Sequence, residues 1–278
     1  MMQQLMGTAK TALGRFFTER YYDQAAQTAY YLMLSIFPFL LFVLSLLNFL
    51  PINLDSLLLF IEPYAPGNTY TFIENNVLRI LEGNQSGVLS LSLISAFWLA
   101  SMAVQSLARS FAAAYAKETT LPFWRTLLHD LGVTAIFMIM IPVSLFVPIV
   151  EKGLLWFVAQ AGELETWSVW ITLWPILKWI TGSLFLFLFF LFFYSILPKK
   201  RLAIRTIVPG ALFTTLSWQF ISWFYGQVVG YVSYTQIYGQ LAGIIILMIW
   251  LYLSAAVLLI GGLINATSYQ NRQENIRL

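Results

Sequence analysis

His129 and Asp130 are the only histidine and carboxylate that stand side by side in the chain, and an imidazole beside a carboxylate is a pairing that acid–base catalysis uses. On a helix, neighbouring side chains diverge by about 100°, so Asp130 is not expected to orient the His129 ring. Cysteine is absent, which removes thiolate nucleophiles, disulfides, iron–sulfur clusters and thiolate zinc sites together. With a single histidine in the chain, a metal centre would have to be built mostly from carboxylates. The sequence offers no carboxylate cluster, no phosphate-cradling glycine loop and no stacking platform beside a basic groove. The residues therefore predict no catalytic centre, no cofactor and no metal, and a protein that is not an enzyme.

What remains are charges at the ends of apolar runs and neutral polar groups inside them. Asp23 and Arg109 fall at the ends of the first two runs, where they stay hydrated by snorkelling or pair with one another. The apolar cores carry essentially no Asp, Glu, Lys, Arg or His, so the titratable relay that proton-driven carriers keep at membrane depth is not expected. Hydroxyls and amides are plentiful there instead, among them Ser35, Ser101, Ser106, Thr214, Gln219, Ser222, Ser254 and Asn265. Such groups join helices at about 0.6 kcal/mol per pair; the alternative is a path for a polar headgroup. Pro38, Pro142, Pro148 and the Pro209–Gly210 pair each interrupt an apolar run. A proline there removes a backbone donor, and the freed carbonyl either marks a kink or lines a cavity.

The elements that position these residues follow from composition. Of 278 residues, 59% are hydrophobic and 10% charged, against about 25% charged in a soluble domain. Apolar runs lie at 30–50, 88–108, 131–150, 176–197, 207–229 and 241–265. About 20 residues at 1.5 Å each cross the roughly 30 Å hydrocarbon layer. Leu184 to Phe193 is apolar at every position and lacks the alternation of a membrane barrel. The predicted fold is an all-α polytopic membrane protein, with six transmembrane helices in a single membrane domain.

Residues 1–22 read as a basic amphipathic segment without a cleavable signal, with Leu5, Ala9, Leu13, Phe16 and Phe17 at helical spacing opposite Lys10. Such a helix lies on the bilayer surface or packs on its neighbours. Ala96, Ala100, Ala103 and Ala108 make the second run small-sided and central. The phenylalanine-rich stretch at 184–193 is expected to face lipid or a greasy groove. Trp156, Trp167, Trp170 and Trp174 are expected to anchor a connection at the headgroups, and Asp55–Ile61 and Phe72–Leu81 to lie across the mouth of the bundle.

Twelve of the 15 lysines and arginines fall on alternate connections and the two ends, whereas seven of the 12 acids fall on the remaining connections. Lysine and arginine mark cytoplasmic loops, so both termini are expected in the cytoplasm. The basic run Lys199–Arg205 is then a topology determinant in contact with membrane lipid, and no nucleic-acid partner is expected.

Three stretches resemble the YihY/BrkB family of bacterial inner-membrane proteins, whose early members were mislabelled as a ribonuclease. They are DQAAQTAYYLMLSIFP from Asp23 to Pro38, LPKKRLAIRTIVPGALFTTLSW from Leu197 to Trp218, and YGQLAGIIILMIWLYLSAAVLLIGGLINA from Tyr238 to Ala266. Many members carry an acidic residue where this chain has Leu263, so no role of that carboxylate transfers. The resemblance implies a six-helix plasma-membrane protein, associated with virulence, export or envelope-lipid handling, and supplies no mechanism. The motif residues it marks are Asp23, Tyr30, Pro38, Pro209, Gly210, Tyr238, Gly239, Trp250, Tyr252 and Asn265, with Arg109 added by its position at a helix end.

Together these readings predict a transporter or exporter of a hydrophobic or amphipathic solute, a lipid included, working through a groove among proline-containing helices. A non-enzymatic envelope scaffold is the alternative, and a membrane ribonuclease using His129 and Asp130 ranks last.

Overall fold

The computed structural model describes residues 2–47, 86–115, 122–140, 164–198, 202–231 and 242–277. These residues form seven helices: α1 Met2–Thr18, α2 Tyr21–Leu47, α3 Ser86–Ala114, α4 Phe123–Met140, α5 Leu164–Ile196, α6 Ile204–Tyr231 and α7 Ala242–Arg277. No strand occurs among the described residues. The expected surface segments at 55–61 and 72–81, Trp156, Pro142, Pro148, Tyr238 and Gly239 lie outside them.

Several helices outrun the apolar runs that announce them. α2 starts at Tyr21 with Asp23 in its first turn, where a carboxylate offsets the positive end of the helix dipole. α1 ends at Thr18, and Arg20 between the two helices has a φ of 59° that turns the backbone out of the right-handed helix. α5 starts at Leu164, so Trp167, Trp170 and Trp174 belong to a helix rather than to a connection. α7 continues past Asn265 to Arg277.

Among the described residues five helical stretches are long and apolar enough to cross a membrane: Tyr21–Phe42, Ser90–Ala114, Phe123–Met140, Trp179–Ile196 and Ala242–Gln273. α6 has the length, at 28 residues, but Thr206, Thr214, Thr215, Ser217, Gln219 and Gln227 dilute its hydropathy.

The contacts divide the chain into two compact units, Met1–Tyr30 with Ala103–Leu278, and Tyr31–Met102. In the larger unit the helix pairs run antiparallel. Between α6 and α7 the partners are Gly210 with Asn265, Trp218 with Ser254, Ser222 with Trp250 and Tyr225 with Ile246, one number rising as the other falls. Tyr194 with Thr214 and Ser183 with Gln219 set α5 against α6 in the same sense, as Tyr21 with Ser110 and Thr28 with Ser106 set α2 against α3.

Its core gathers Phe111, Phe193, Tyr194, Leu197, Ile207, Leu259 and Leu263. The phenylalanine-rich stretch splits between two environments. Phe190 and Phe193 are buried, with Phe193 edge-on to Phe111 at 5.9 Å, while Phe185 and Phe192 face outward. Among lipid chains, burying apolar surface brings little hydrophobic gain, so close packing and interhelical hydrogen bonds must hold such a bundle.

In the smaller unit, Ser35 donates to Leu32 O at 2.8 Å and Ser101 to Trp98 O at 2.7 Å. These hydroxyls are satisfied within their own helices rather than by a polar path. Ala96 on α3 is fully buried.

Candidate functional site

A buried polar seam joins α5, α6 and α7. The Tyr194 hydroxyl lies 2.6 Å from Thr214 Oγ1 and donates to Leu258 O at 2.7 Å. One turn away, Gly210 N donates to Asn265 Oδ1 at 2.8 Å. Gly210 directly follows Pro209, which has no N–H of its own and interrupts the α6 ladder at this point. An added Cβ at Gly210 would overlap Gly261 O and the Asn265 side chain; one at Gly261 would overlap the Thr214 and Tyr194 oxygens; one at Gly262 would overlap the Phe111 ring. The glycines let the backbones approach, and the approach brings the amide and hydroxyls within hydrogen-bond reach. Among the described residues Asn265 Nδ2 is buried and meets no hydrogen-bond acceptor, so the seam holds an amide whose N–H donors are unspent.

Toward the other end of α7 the pairing turns aromatic. Trp218 and Trp250 meet edge-on at 5.9 Å, their indole N–H groups donating to Ser254 Oγ at 3.2 Å and Ser222 Oγ at 3.3 Å. Each indole thereby satisfies its one donor on the opposite helix, which is glue rather than a lining for polar cargo.

An open groove of about 240 Å³ lies between α2 and α7, lined by Ala26, Ala29, Met248, Ile249 and Tyr252. Ala26 and Ala29, three residues apart on α2, supply the hollow. Met248 and Tyr252, four apart on α7, share its other wall. The Tyr252 hydroxyl is the only side-chain heteroatom besides the Met248 sulfur that these residues bring. A wall of this kind suits a hydrocarbon chain and offers little to an ion or a sugar.

The motif residues therefore separate. Pro209, Gly210 and Asn265 meet in the seam, Trp250 joins the aromatic pairing, and Tyr252 lines the groove. Tyr30 is exposed on α2, and Pro38 is half-buried farther along that helix. Asp23 and Arg109 do not form the pair considered from sequence: Asp23 Oδ2 lies 2.9 Å from Arg20 Nε, and Arg109 is exposed on α3. A partner three residues back, immediately before the first residue of α2, outcompetes a distant helix.

The reading of His129 needs a correction. Its Nδ1 lies 3.2 Å from Asp130 Oδ1, since two flexible side chains can fold toward each other across the 100° that separates their Cβ directions. Asp130 is buried, and Thr134 Oγ1 donates to its backbone carbonyl at 2.7 Å. Among the described residues no three His, Cys, Asp or Glu side chains form a group that could hold a metal ion.

Tyr194, Gly261 and Gly262 were not legible as site residues from sequence, although the Gly–Gly pair was a signal for close helix approach. Ala26 and Ala29 were likewise visible only as an alanine-rich stretch.

At the α1 end, Arg15 donates to Ala114 O, the last carbonyl of α3, at 3.1 Å, and reaches Thr267 Oγ1 and Gln270 Oε1 on α7 at 3.4 Å each. A cation there suits the negative end of the α3 dipole. Tyr115 packs edge-on to Tyr269 at 5.9 Å; burial, reinforced by Tyr269, raises its phenol pKa well above the ordinary range and keeps it protonated.

Comparison with known proteins places these features in a family. A ribonuclease-like protein of Bacillus subtilis (strain 168), YfkH, is 32% identical over 274 residues, covering 96% of this chain and 97% of its own length. A UPF0761 membrane protein of Xanthomonas campestris pv. campestris (strain B100) is 30% identical over 88 residues, 31% of this chain and 21% of that protein. A counterpart from Xanthomonas axonopodis pv. citri (strain 306) matches over the same proportions. No solved structure matches. The family model described as virulence factor BrkB matches residues 12–278, and this all-α, polytopic membrane chain belongs to that family.

Proposed function

We propose that the protein moves a hydrophobic or amphipathic solute, of which a lipid is the leading example, and that it does so without enzymatic chemistry in the bacterial plasma membrane. The groove of Ala26, Ala29, Met248, Ile249 and Tyr252 carries this reading. It is apolar and open-sided on two helices with the length and hydropathy of membrane spans, so a lipid-soluble chain reaches it without leaving the hydrocarbon. The partners on this reading are membrane lipids and a small amphipathic substrate, with no nucleic acid.

Reconstitution into liposomes tests it. Transbilayer movement of a fluorescent phospholipid or amphiphile should exceed that in empty vesicles. Ala26→Trp, which fills the groove from an exposed position, should abolish the excess while leaving folded protein. Movement no faster than in empty vesicles across a panel of lipids and amphiphiles, with and without a solute gradient, overturns the proposal.

The name of the Bacillus relative directs a second assay to the 3.2 Å His129–Asp130 contact. Any RNA cleavage by purified protein should persist after His129→Ala, as it would from a contaminant. Loss with that substitution would replace the transport reading by an enzymatic one.

A further inference from the structure

α1 has two unlike faces. Its inner face is committed: Ala12 and Phe16 are buried in the core, and Arg15 is held by Ala114 O, Thr267 and Gln270. Its outer face is not: Leu13 is 48% and Phe17 61% exposed, and exposed Lys10, expected from sequence on the opposite side, instead precedes them on the same stripe at three- and seven-residue spacing. Apolar bulk on that side has no role in water. It does where α1 lies, because only Glu19 and Arg20 separate the helix from Tyr21, the first residue of a membrane-spanning stretch.

We propose that the Lys10–Leu13–Phe17 face of α1 docks on the headgroup layer of the bilayer that its own spanning helices cross. Leu13 and Phe17 sink into the boundary between headgroups and acyl chains, and Lys10 lays its stem along that boundary with its ammonium at the lipid phosphates. The latch at Arg15 fixes the rotation of the helix, so the face that meets lipid is the one the core leaves over. Continuity favours this occupant over a second protein chain: the stretch apolar enough to span starts at Tyr21, four residues after Phe17, which puts α1 at the level of the interface. The face holds its place whether or not the groove carries a solute.

The natural chain has no cysteine, so a single introduced thiol can carry a nitroxide label. Leu13→Cys and Phe17→Cys proteins, labelled and reconstituted into phospholipid vesicles, are compared for collision with oxygen, which concentrates in lipid, and with a water-soluble nickel chelate. Labels at 13 and 17 should collide preferentially with oxygen and give a positive depth parameter. Preferential nickel collision at 13 and 17 would leave the face in water and overturn the proposal. Shielding from both reagents would mean a protein partner covers it, and overturns it equally. Because Leu13 and Phe17 are exposed, their substitution leaves the core intact, and a native melting profile confirms that each labelled protein is folded.

Discussion

At the scale of single residues, the seam between α6 and α7 is held by what is missing as much as by what is present. Gly210, Gly261 and Gly262 have no room for a methyl group, whereas Gly182 on α5, Gly226 on α6 and Gly243 on α7 face open space. Alanine at Gly261 must displace the Thr214 and Tyr194 oxygens and so costs overpacking of about 1–3 kcal/mol. Alanine at Gly226 meets nothing and gains helix propensity, up to about 1 kcal/mol. Melting of the detergent-solubilised protein, followed by tryptophan fluorescence, should fall for Gly210→Ala and Gly261→Ala and hold or rise for Gly182→Ala and Gly226→Ala. Equal effects in the two groups would show that the close approach does not support stability. Tyr194→Phe removes a hydroxyl that serves Thr214 and Leu258 O and should cost on the order of 1 kcal/mol in the same melt.

At the scale of elements, α1 shows how a helix that precedes the stretches apolar enough to span can be tied to them. Arg15 caps α3 and touches α7, while Glu19 shares its guanidinium at 2.7 Å. Because the site is partly solvated, its loss is worth about 1 kcal/mol, roughly a fivefold rise in local opening. Arg15→Gln should therefore speed amide hydrogen exchange across 2–18 by about that factor and leave the α6–α7 seam unchanged. Faster exchange spread through every helix would instead make Arg15 a keystone of the whole bundle.

Hydropathy revealed that α1 is amphipathic and where the apolar runs lie, because both are properties of one helix at a time. It left open which side of each helix meets which neighbour. Leu13 and Phe16 were read as one face and divide between outside and core. Asn265 and Gly210 were both singled out, yet their bond depends on the register of helices 55 positions apart. Tyr194 sat unnoticed beside a run of phenylalanines because its importance lies in the rotational phase of α5, which an all-apolar stretch does not encode.

At the scale of the whole molecule α6 stands apart, since among the described residues five helical stretches meet the hydropathy requirement of a span and α6 is not among them. Its polarity has an internal use: Thr214, Trp218, Ser222 and Tyr225 all hydrogen-bond to neighbouring helices. Bonded hydroxyls and indoles no longer carry the desolvation cost that a hydropathy index assigns them. Its 28 residues extend ~42 Å, and it runs antiparallel to α7 from Gly210–Asn265 to Tyr225–Ile246. A helix paired over that stretch with one long and apolar enough to span is expected to cross with it. Six crossings would return the C-terminus to the side of the N-terminus, which is the arrangement the clustering of lysine and arginine predicts. Green fluorescent protein at the C-terminus or inserted after Lys200 should therefore fluoresce, because it matures only in the cytoplasm. Alkaline phosphatase fused after Pro66, Glu163 or Tyr234 should be active, because it folds only outside. An inactive phosphatase at Tyr234 beside a fluorescent insertion at Lys200 would place both ends of α6 on one side, and the antiparallel pairing with a spanning α7 would then have to be abandoned.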